Sequence, residues 1–214
     1  LKMPVFSPLI WAACCAGVQA AAIRYEIRPH RELSVFTQRA LIAASAAAGA
    51  IGGWLAPLRT DGPLELLRLL LVLAALCAAS GVDLLLRKIP NRISLGLLGG
   101  FVLCTVLDFV LRRDLAAGRL LSGVLGGAGM LGMLGLCRLI SRGGIGLGDI
   151  KLFSAMSLVL GLYGGVCTLI LGQLAALLCA AALLLTRRAT LKDSVPFAPF
   201  FAAGFLLCLI LGTY

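Results

Sequence analysis

Two aspartates lie against apolar segments of the sequence, where a charged side chain needs a specific reason to be. Asp83 follows an apolar run, and Asp149 precedes another one. A carboxylate inside a bilayer is costly unless it is neutralised, paired or hydrated, so both are candidates for function. If they meet, like-charge repulsion favours a pair that holds one proton. One carboxylate could then activate water while the other, protonated, polarises a carbonyl, as in aspartic proteases.

Each aspartate also has a simpler local explanation. Arg87 lies four residues after Asp83, on the same helix face, and the two can form an ion pair. This helix is expected to continue for about two turns beyond Asp83, until Pro90 stops it. Asp149 follows a stretch with four glycines in residues 143–148 and can cap the next helix, whose first turn favours an acid. The spacing there matches no phosphate-binding loop.

A third aspartate, Asp108, is expected in the outer half of the fourth span, at a different membrane depth from Asp83 and Asp149. Arg112 is four residues on, so an ion pair at the membrane interface is the expected role. The other six acids are expected in loops or at span edges, where water solvates them: Glu26, Glu32, Asp61, Glu65, Asp114 and Asp193.

The elements that must position these residues are membrane helices. Of the 214 residues, 61% are hydrophobic and 13% charged, and the mean hydropathy is +1.05, which excludes a conventional water-soluble or disordered protein. We expect an all-α, polytopic membrane protein with about eight transmembrane helices, forming a single integral membrane domain over residues 1–214. Since a span needs about 20 apolar residues, we place them near 5–23, 40–58, 65–82, 93–111, 119–140, 150–163, 165–185 and 196–213. The first is treated as a retained helix, and the sixth, which is short and rich in small residues, as tilted or broken.

The basic residues predict the orientation and the surroundings. With the N-terminus and C-terminus outside, 13 of the 19 Lys and Arg residues lie on the inner side, as the positive-inside rule requires. The outer side then keeps Lys2, Arg59, Arg68, Arg112, Arg113 and Arg119. The net charge of +10 sits in short runs without interleaved aromatics, so anionic membrane lipid is the expected partner and nucleic acid is not.

Neither a metal nor a cofactor is expected. All eight cysteines lie in apolar blocks, no CxxC occurs and no His stands beside them, so they are interpreted as packing residues rather than zinc ligands. Gly123 and Gly127, at helical spacing, are expected to allow close approach of helix backbones.

Three blocks in this order, each beside a membrane span, resemble the type IV prepilin peptidases, the GxGD-type intramembrane aspartic proteases. They are Asp83 with the run Arg87-Lys88-Ile89-Pro90-Asn91, Gly146-Leu147-Gly148-Asp149 with Lys151, and Pro196-Phe197-Ala198-Pro199-Phe200. The resemblance covers residues 80–214, the expected peptidase core, and the first 80 residues only by topology. It implies that Asp83 and Asp149 are catalytic. Residues implied to bind substrate or support the site are Arg87, Pro90, Asn91, Gly146, Gly148 and Lys151.

The resemblance also implies a reaction. Such enzymes remove the short basic leader from type IV prepilins, or from the pseudopilins of protein secretion, at the cytoplasmic face of the bacterial inner membrane. The last block matches the start of the family's final helix, with Ala198 where glycine is common, and a structural role is expected for it. Longer members carry a cytoplasmic insert with paired CxxC motifs and N-methyltransferase activity. Here the interval 24–39 is short and has no cysteine, so a peptidase-only form is expected.

Two other functions fit the residues without the resemblance. A small transporter could use the same intramembrane carboxylates to move protons or cations. A non-catalytic scaffold could pack through its glycine faces. The sequence leaves open which pilin is cleaved, the preferred leader, the oligomeric state and whether Asp83 and Asp149 are close at rest.

Overall fold

Seven α-helices build the fold in a computed structural model that describes residues 7–30, 32–60, 62–187 and 196–214. A π-helical segment, Ile23–Ile27, continues the first helix, and a 3-10 turn, Ala56–Leu58, continues the second. The described residues contain no β-strand. The helices are α1 (Ser7–Ala22), α2 (Val35–Leu55), α3 (Pro63–Leu86), α4 (Asn91–Leu111), α5 (Arg113–Ile140), α6 (Leu147–Leu185) and α7 (Ala198–Leu211).

The helices have the length and composition of membrane spans. Five of those described are long and apolar enough to cross a bilayer, namely α2 with its 3-10 turn, α3, α4, α5 and α6, while α7 is a shorter apolar helix. The prediction of an all-helical, polytopic membrane protein is therefore confirmed. Residues 5 and 6, where the first predicted span begins, lie outside the described residues.

The long helix α6 is broken at Gly161, whose φ of 81° and ψ of 177° are not helical. A Cβ atom on Gly165 would lie 3.2 Å from the Cα atom of Ser157, although eight residues of straight helix span about 12 Å. The chain therefore turns back on itself and forms two segments, α6a (147–160) and α6b (162–185). The break comes before the predicted boundary at residue 164, because Gly161 is the glycine of this stretch that adopts the left-handed φ.

Helix α3 lies at the centre of the bundle and packs against α1, α2, α4 and α7. Leu69, Val72 and Leu76 are among its fully buried residues. Glycines set the closest approaches between helices, as predicted for α5. A Cβ atom on Gly123 would lie 2.6 Å from the carbonyl oxygen of Leu158 on α6a, so no larger residue fits at this contact without a backbone shift.

The connection between α1 and α2 is shorter than the predicted interval 24–39. The π-helical segment extends to Ile27, and α2 begins at Val35. Ser34 caps α2, since its hydroxyl accepts a hydrogen bond from the Thr37 N–H at 3.1 Å. Helix ends stabilised by such caps extend beyond the apolar residues, which is why hydropathy places them inaccurately.

The predicted ion pair between Asp108 and Arg112 is wrong. Asp108 is 1% exposed and pairs with Arg68 of α3 and with Arg119 of α5, the latter at 3.1 Å. Glu65, predicted to be solvated, pairs with the same two arginines. The side chain of Asp108 faces neighbouring helices, whereas the i,i+4 rule considers only its own. We call Glu65, Arg68, Asp108 and Arg119 the far-end ion cluster, because they lie where α3 begins, away from Asp83.

Candidate active site

Two carboxylates from different helices meet the first residues of α7. Asp83 Oδ2 accepts a hydrogen bond of 3.0 Å from the backbone N–H of Ala198, the first residue of that helix. Asp149 lines a small cavity of about 40 Å³ together with Phe197 and Phe201. The charge on Asp83 acts on Asp149, so the two side chains share one electrostatic environment.

Asp83 lies in the last turn of α3 and is 7% exposed. The helix ends at Leu86, one turn beyond Asp83 rather than the predicted two, because Arg87 adopts a left-handed φ of 52°. Pro90 is the N-cap of α4 instead of the residue that stops α3. The charge of Arg87 also acts on Asp83, which agrees with the predicted proximity of these two side chains.

Asp149 lies in the first turn of α6, three residues after the N-cap Gly146. Its carboxylate lies beside the backbone of Gly146, since a Cβ atom on that glycine would be 2.8 Å from Oδ2, and an acid at this helix position commonly accepts from the N-cap N–H. Asp149 therefore occupies the helix position at which an acid can cap the N-terminus, as its simpler local explanation requires. Arg138 holds the preceding loop, since its guanidinium donates to the carbonyl oxygen of Ile145.

The two sequence blocks around the aspartates pack against each other. A Cβ atom on Gly148 would lie 3.1 Å from the Cβ atom of Ile89, so the glycine allows the two segments to approach closely. Lys151 Nζ donates to Asn91 Oδ1 at 3.2 Å. This contact joins the start of α4 to the start of α6.

Lys151 and Asn91 do not line the small cavity beside Asp149. They belong to a larger apolar groove of about 560 Å³ between α4, α5 and α6a, whose walls include Ser154 and Ala155. Asp149 faces α7 from another side of the same helix. Lys151, which was predicted to support the site, thus contacts α4 rather than the carboxylates.

Three side chains of the cavity were not singled out by the sequence. Phe153 and Phe201 pack edge to face with ring centroids 4.0 Å apart, and Gln173 lines the same cavity as Asp149. Gln173 is an isolated amide in the apolar segment 165–185, which is the signal that could have identified it. Its position opposite Asp149 follows from the turn at Gly161, which hydropathy does not reveal.

The chemistry that this arrangement offers is acid–base chemistry. Among the described residues, no group of three or more His, Cys, Asp or Glu side chains could hold a metal ion. Two carboxylates next to a backbone N–H donor and a partly enclosed cavity can hold a water molecule and move its proton.

The contact between Gly146 and Asp149 gives a testable prediction. A Cβ atom on Gly146 would lie 2.8 Å from Asp149 Oδ2, while the φ of −66° and ψ of 138° at this position suit alanine. Gly146→Ala should therefore displace the carboxylate without straining the backbone, and we expect a loss of about 10²-fold in any reaction that uses it. The initial rate is measured beside Gly135→Ala, because a Cβ atom on Gly135 meets nothing within 4 Å. Equal rates for the two variants would contradict the prediction.

Comparisons with known proteins find similarity over the part of the chain that contains both aspartates. The family described as type IV leader peptidases matches residues 70–213. The prepilin leader peptidase/N-methyltransferase of Bacillus subtilis (strain 168) is 34% identical over 156 residues. The alignment covers 70% of this chain and 57% of that relative, so the chain spans less than two thirds of its length. No solved structure matches the chain.

Proposed function

Because the chain belongs to the type IV leader peptidase family, we propose that it is an intramembrane aspartic endopeptidase in which Asp83 and Asp149 activate water. The observation that carries this proposal is the convergence of the two carboxylates at the start of α7. A packing or capping role alone would not require acids from two separate helices to lie against the first turn of the same third helix.

The proposed reaction needs only the two carboxyl groups and water. One carboxylate takes a proton from water, whose oxygen attacks the carbonyl carbon of the scissile peptide bond. The other carboxyl group gives its proton to the carbonyl oxygen. Collapse of the tetrahedral intermediate breaks the C–N bond: the leaving amine takes up a proton from one carboxyl group, and a hydroxyl of the intermediate returns its proton to the other carboxylate as the carbonyl re-forms. The site is proposed to work without a cofactor.

The proposed substrate is a type IV prepilin or pseudopilin, whose basic leader is removed at the cytoplasmic face of the bacterial inner membrane. Basic residues support the orientation. Arg87, Arg142 and Arg187 lie within two residues after the ends of α3, α5 and α6 and have left-handed φ angles, at helix C-termini where positive charge is favoured. With these C-terminal ends on the inner side, the eight described helical segments, counting α6a and α6b separately, cross or enter the membrane, and both termini lie outside, as the positive-inside rule favours.

The proposed activity does not include methylation. The name of the Bacillus subtilis relative includes an N-methyltransferase. The connection between α1 and α2, where the resemblance places the methyltransferase insert, has no cysteine and is shorter than the predicted interval 24–39. We therefore propose a peptidase-only form.

Cleavage of a purified substrate tests the proposal. Detergent-solubilised protein should cut a prepilin-like polypeptide between its basic leader and its apolar helix, and mass spectrometry identifies the bond. A matched substrate with proline after the scissile bond serves as a cleavage-resistant control. If the polypeptide stays intact while the reconstituted protein carries protons or cations across vesicles, the transporter alternative replaces the peptidase.

A further inference from the structure

A second cavity lies at the far end of the bundle, away from the aspartates. Its volume is about 430 Å³, and it lies where α3 and α5 begin and where α6 turns at Gly161. Four arginines line it together with one acid, Glu65: Arg59, Arg68, Arg112 and Arg119. Such a concentration of guanidinium groups around a space of this size calls for an explanation.

The far-end ion cluster accounts for two of the four positive charges. Arg68 and Arg119 each pair with both Glu65 and Asp108, so two guanidinium groups face two carboxylates. The Nε atom of Arg68 remains enclosed and has no hydrogen-bond partner among the described residues. The cluster is therefore balanced in charge but retains an unused donor.

The other two positive charges are not balanced by the described acidic side chains. The guanidinium of Arg59 donates to the carbonyl oxygen of Ile210 at 2.7 Å, which is a neutral acceptor at the end of α7. The guanidinium of Arg112 lies over Gly62, where a Cβ atom would be 3.0 Å from Cζ. Among the described side chains, no carboxylate forms an ion pair with Arg59 or Arg112. The described side chains around the cavity, with Asp108 included, thus carry two more positive charges than negative charges.

The surroundings of Arg59 and Arg112 are those of a membrane interface. Leu58 is 66% exposed, and Leu111 and Leu115 on either side of Arg112 are 67% and 52% exposed. Apolar surface therefore adjoins the charged cavity. An amphipathic ligand with an anionic head and apolar chains matches both parts of this surface.

We propose that this cavity binds a phosphate group, carried either by an anionic phospholipid or by a soluble phosphate. Arginine suits phosphate because its planar guanidinium donates two parallel hydrogen bonds to the phosphoryl oxygens. A bound phosphate would also give a reason for arginines at the end of the bundle that the positive-inside rule leaves poor in basic residues. The proposal does not depend on the peptidase activity.

Ligand-dependent stability tests this proposal and separates the two sources. The parent protein in neutral detergent is mixed with phosphatidylglycerol, with diacylglycerol of the same acyl chains, or with inorganic phosphate. We expect phosphatidylglycerol to raise Tm by about 3 °C and diacylglycerol to leave it unchanged. An equal rise with inorganic phosphate alone would identify a soluble phosphate as sufficient. The proposal is overturned if neither phosphate source raises Tm or if diacylglycerol raises it as much.

A matched pair of arginine variants assigns the effect to the cavity. Arg112→Gln should abolish the rise in Tm, whereas Arg113→Gln should keep it, because Arg113 is exposed and does not line the cavity. A full rise in Arg112→Gln would overturn the assignment. Should Arg112→Gln fail to fold, native mass spectrometry of the parent protein decides: preferential retention of phosphatidylglycerol over diacylglycerol supports the proposal, and equal retention overturns it.

Discussion

Replacing either aspartate by asparagine, as Asp83→Asn or as Asp149→Asn, should reduce cleavage of a prepilin-like substrate by about 10³-fold or more. An amide has nearly the same shape as a carboxylic acid but can neither take the proton of water nor donate one to the carbonyl oxygen. Asparagine at position 83 can still accept the hydrogen bond from the Ala198 N–H, and asparagine at position 149 keeps a side-chain oxygen beside Gly146. We therefore expect the loss to be catalytic rather than structural.

The control for this experiment is Asp114→Asn, which changes an exposed acid in the first turn of α5. It should cleave at the rate of the parent protein. All variants are compared by initial rate after their membrane insertion and Tm have been measured. A parent-like rate in either Asp83→Asn or Asp149→Asn would exclude the proposed pair of catalytic acids.

The second large effect is expected at the far-end ion cluster. Asp108→Ala removes a carboxylate that is 1% exposed and leaves the guanidinium groups of Arg68 and Arg119 with Glu65 as their remaining partner in the cluster. Breaking a buried ion pair in this way lowers the free energy of unfolding by about 3–5 kcal/mol. For a protein of this size, Tm should fall by about 10 °C, as thermal unfolding in one detergent would show.

Asp114→Ala is the matched control for this prediction, because it removes an exposed acid from the neighbouring helix. Its effect on the free energy of unfolding should stay within about 0.5 kcal/mol. Below its unfolding temperature, Asp108→Ala should cleave normally, since the cluster and the aspartates lie at opposite ends of α3. Equal stability of Asp108→Ala and Asp114→Ala would show that the buried pairs contribute little.

The composition predicts the class of fold, and the positions of acids relative to the apolar blocks indicate the most informative residues. A block of about 20 apolar residues has few stable structures other than a membrane helix. The same reasoning identified Asp83 and Asp149, because a carboxylate within such a block is expensive. Equal depth in the membrane indicated only that the two carboxylates can meet, and their contacts with the first turn of α7, such as the hydrogen bond from Ala198, could not be derived in that way.

Local sequence rules, such as helix periodicity, could not predict contacts between distant parts of the chain. The arginines that pair with Asp108 are 40 and 11 residues away, whereas helix periodicity considers only neighbours within one turn. Gln173 belongs to the cavity of Asp149 only because α6 turns at Gly161. Three glycines between residues 161 and 165 made a break expected but did not show which glycine adopts the left-handed φ.

The turn at Gly161 divides α6 unequally, so that α6b is longer than α6a. Asp149 and Gln173 each lie twelve residues from the turn and line one cavity, while α6b continues for twelve further residues, about 18 Å. Helix α3 ends only three residues after Asp83. Among the described residues, α6b therefore extends about three turns past Gln173, whereas α3 extends less than one turn past Asp83. We expect water and an extended segment of the substrate to reach the carboxylates past the short end of α3, while the apolar helix of the substrate packs along α6b and stays within the lipid.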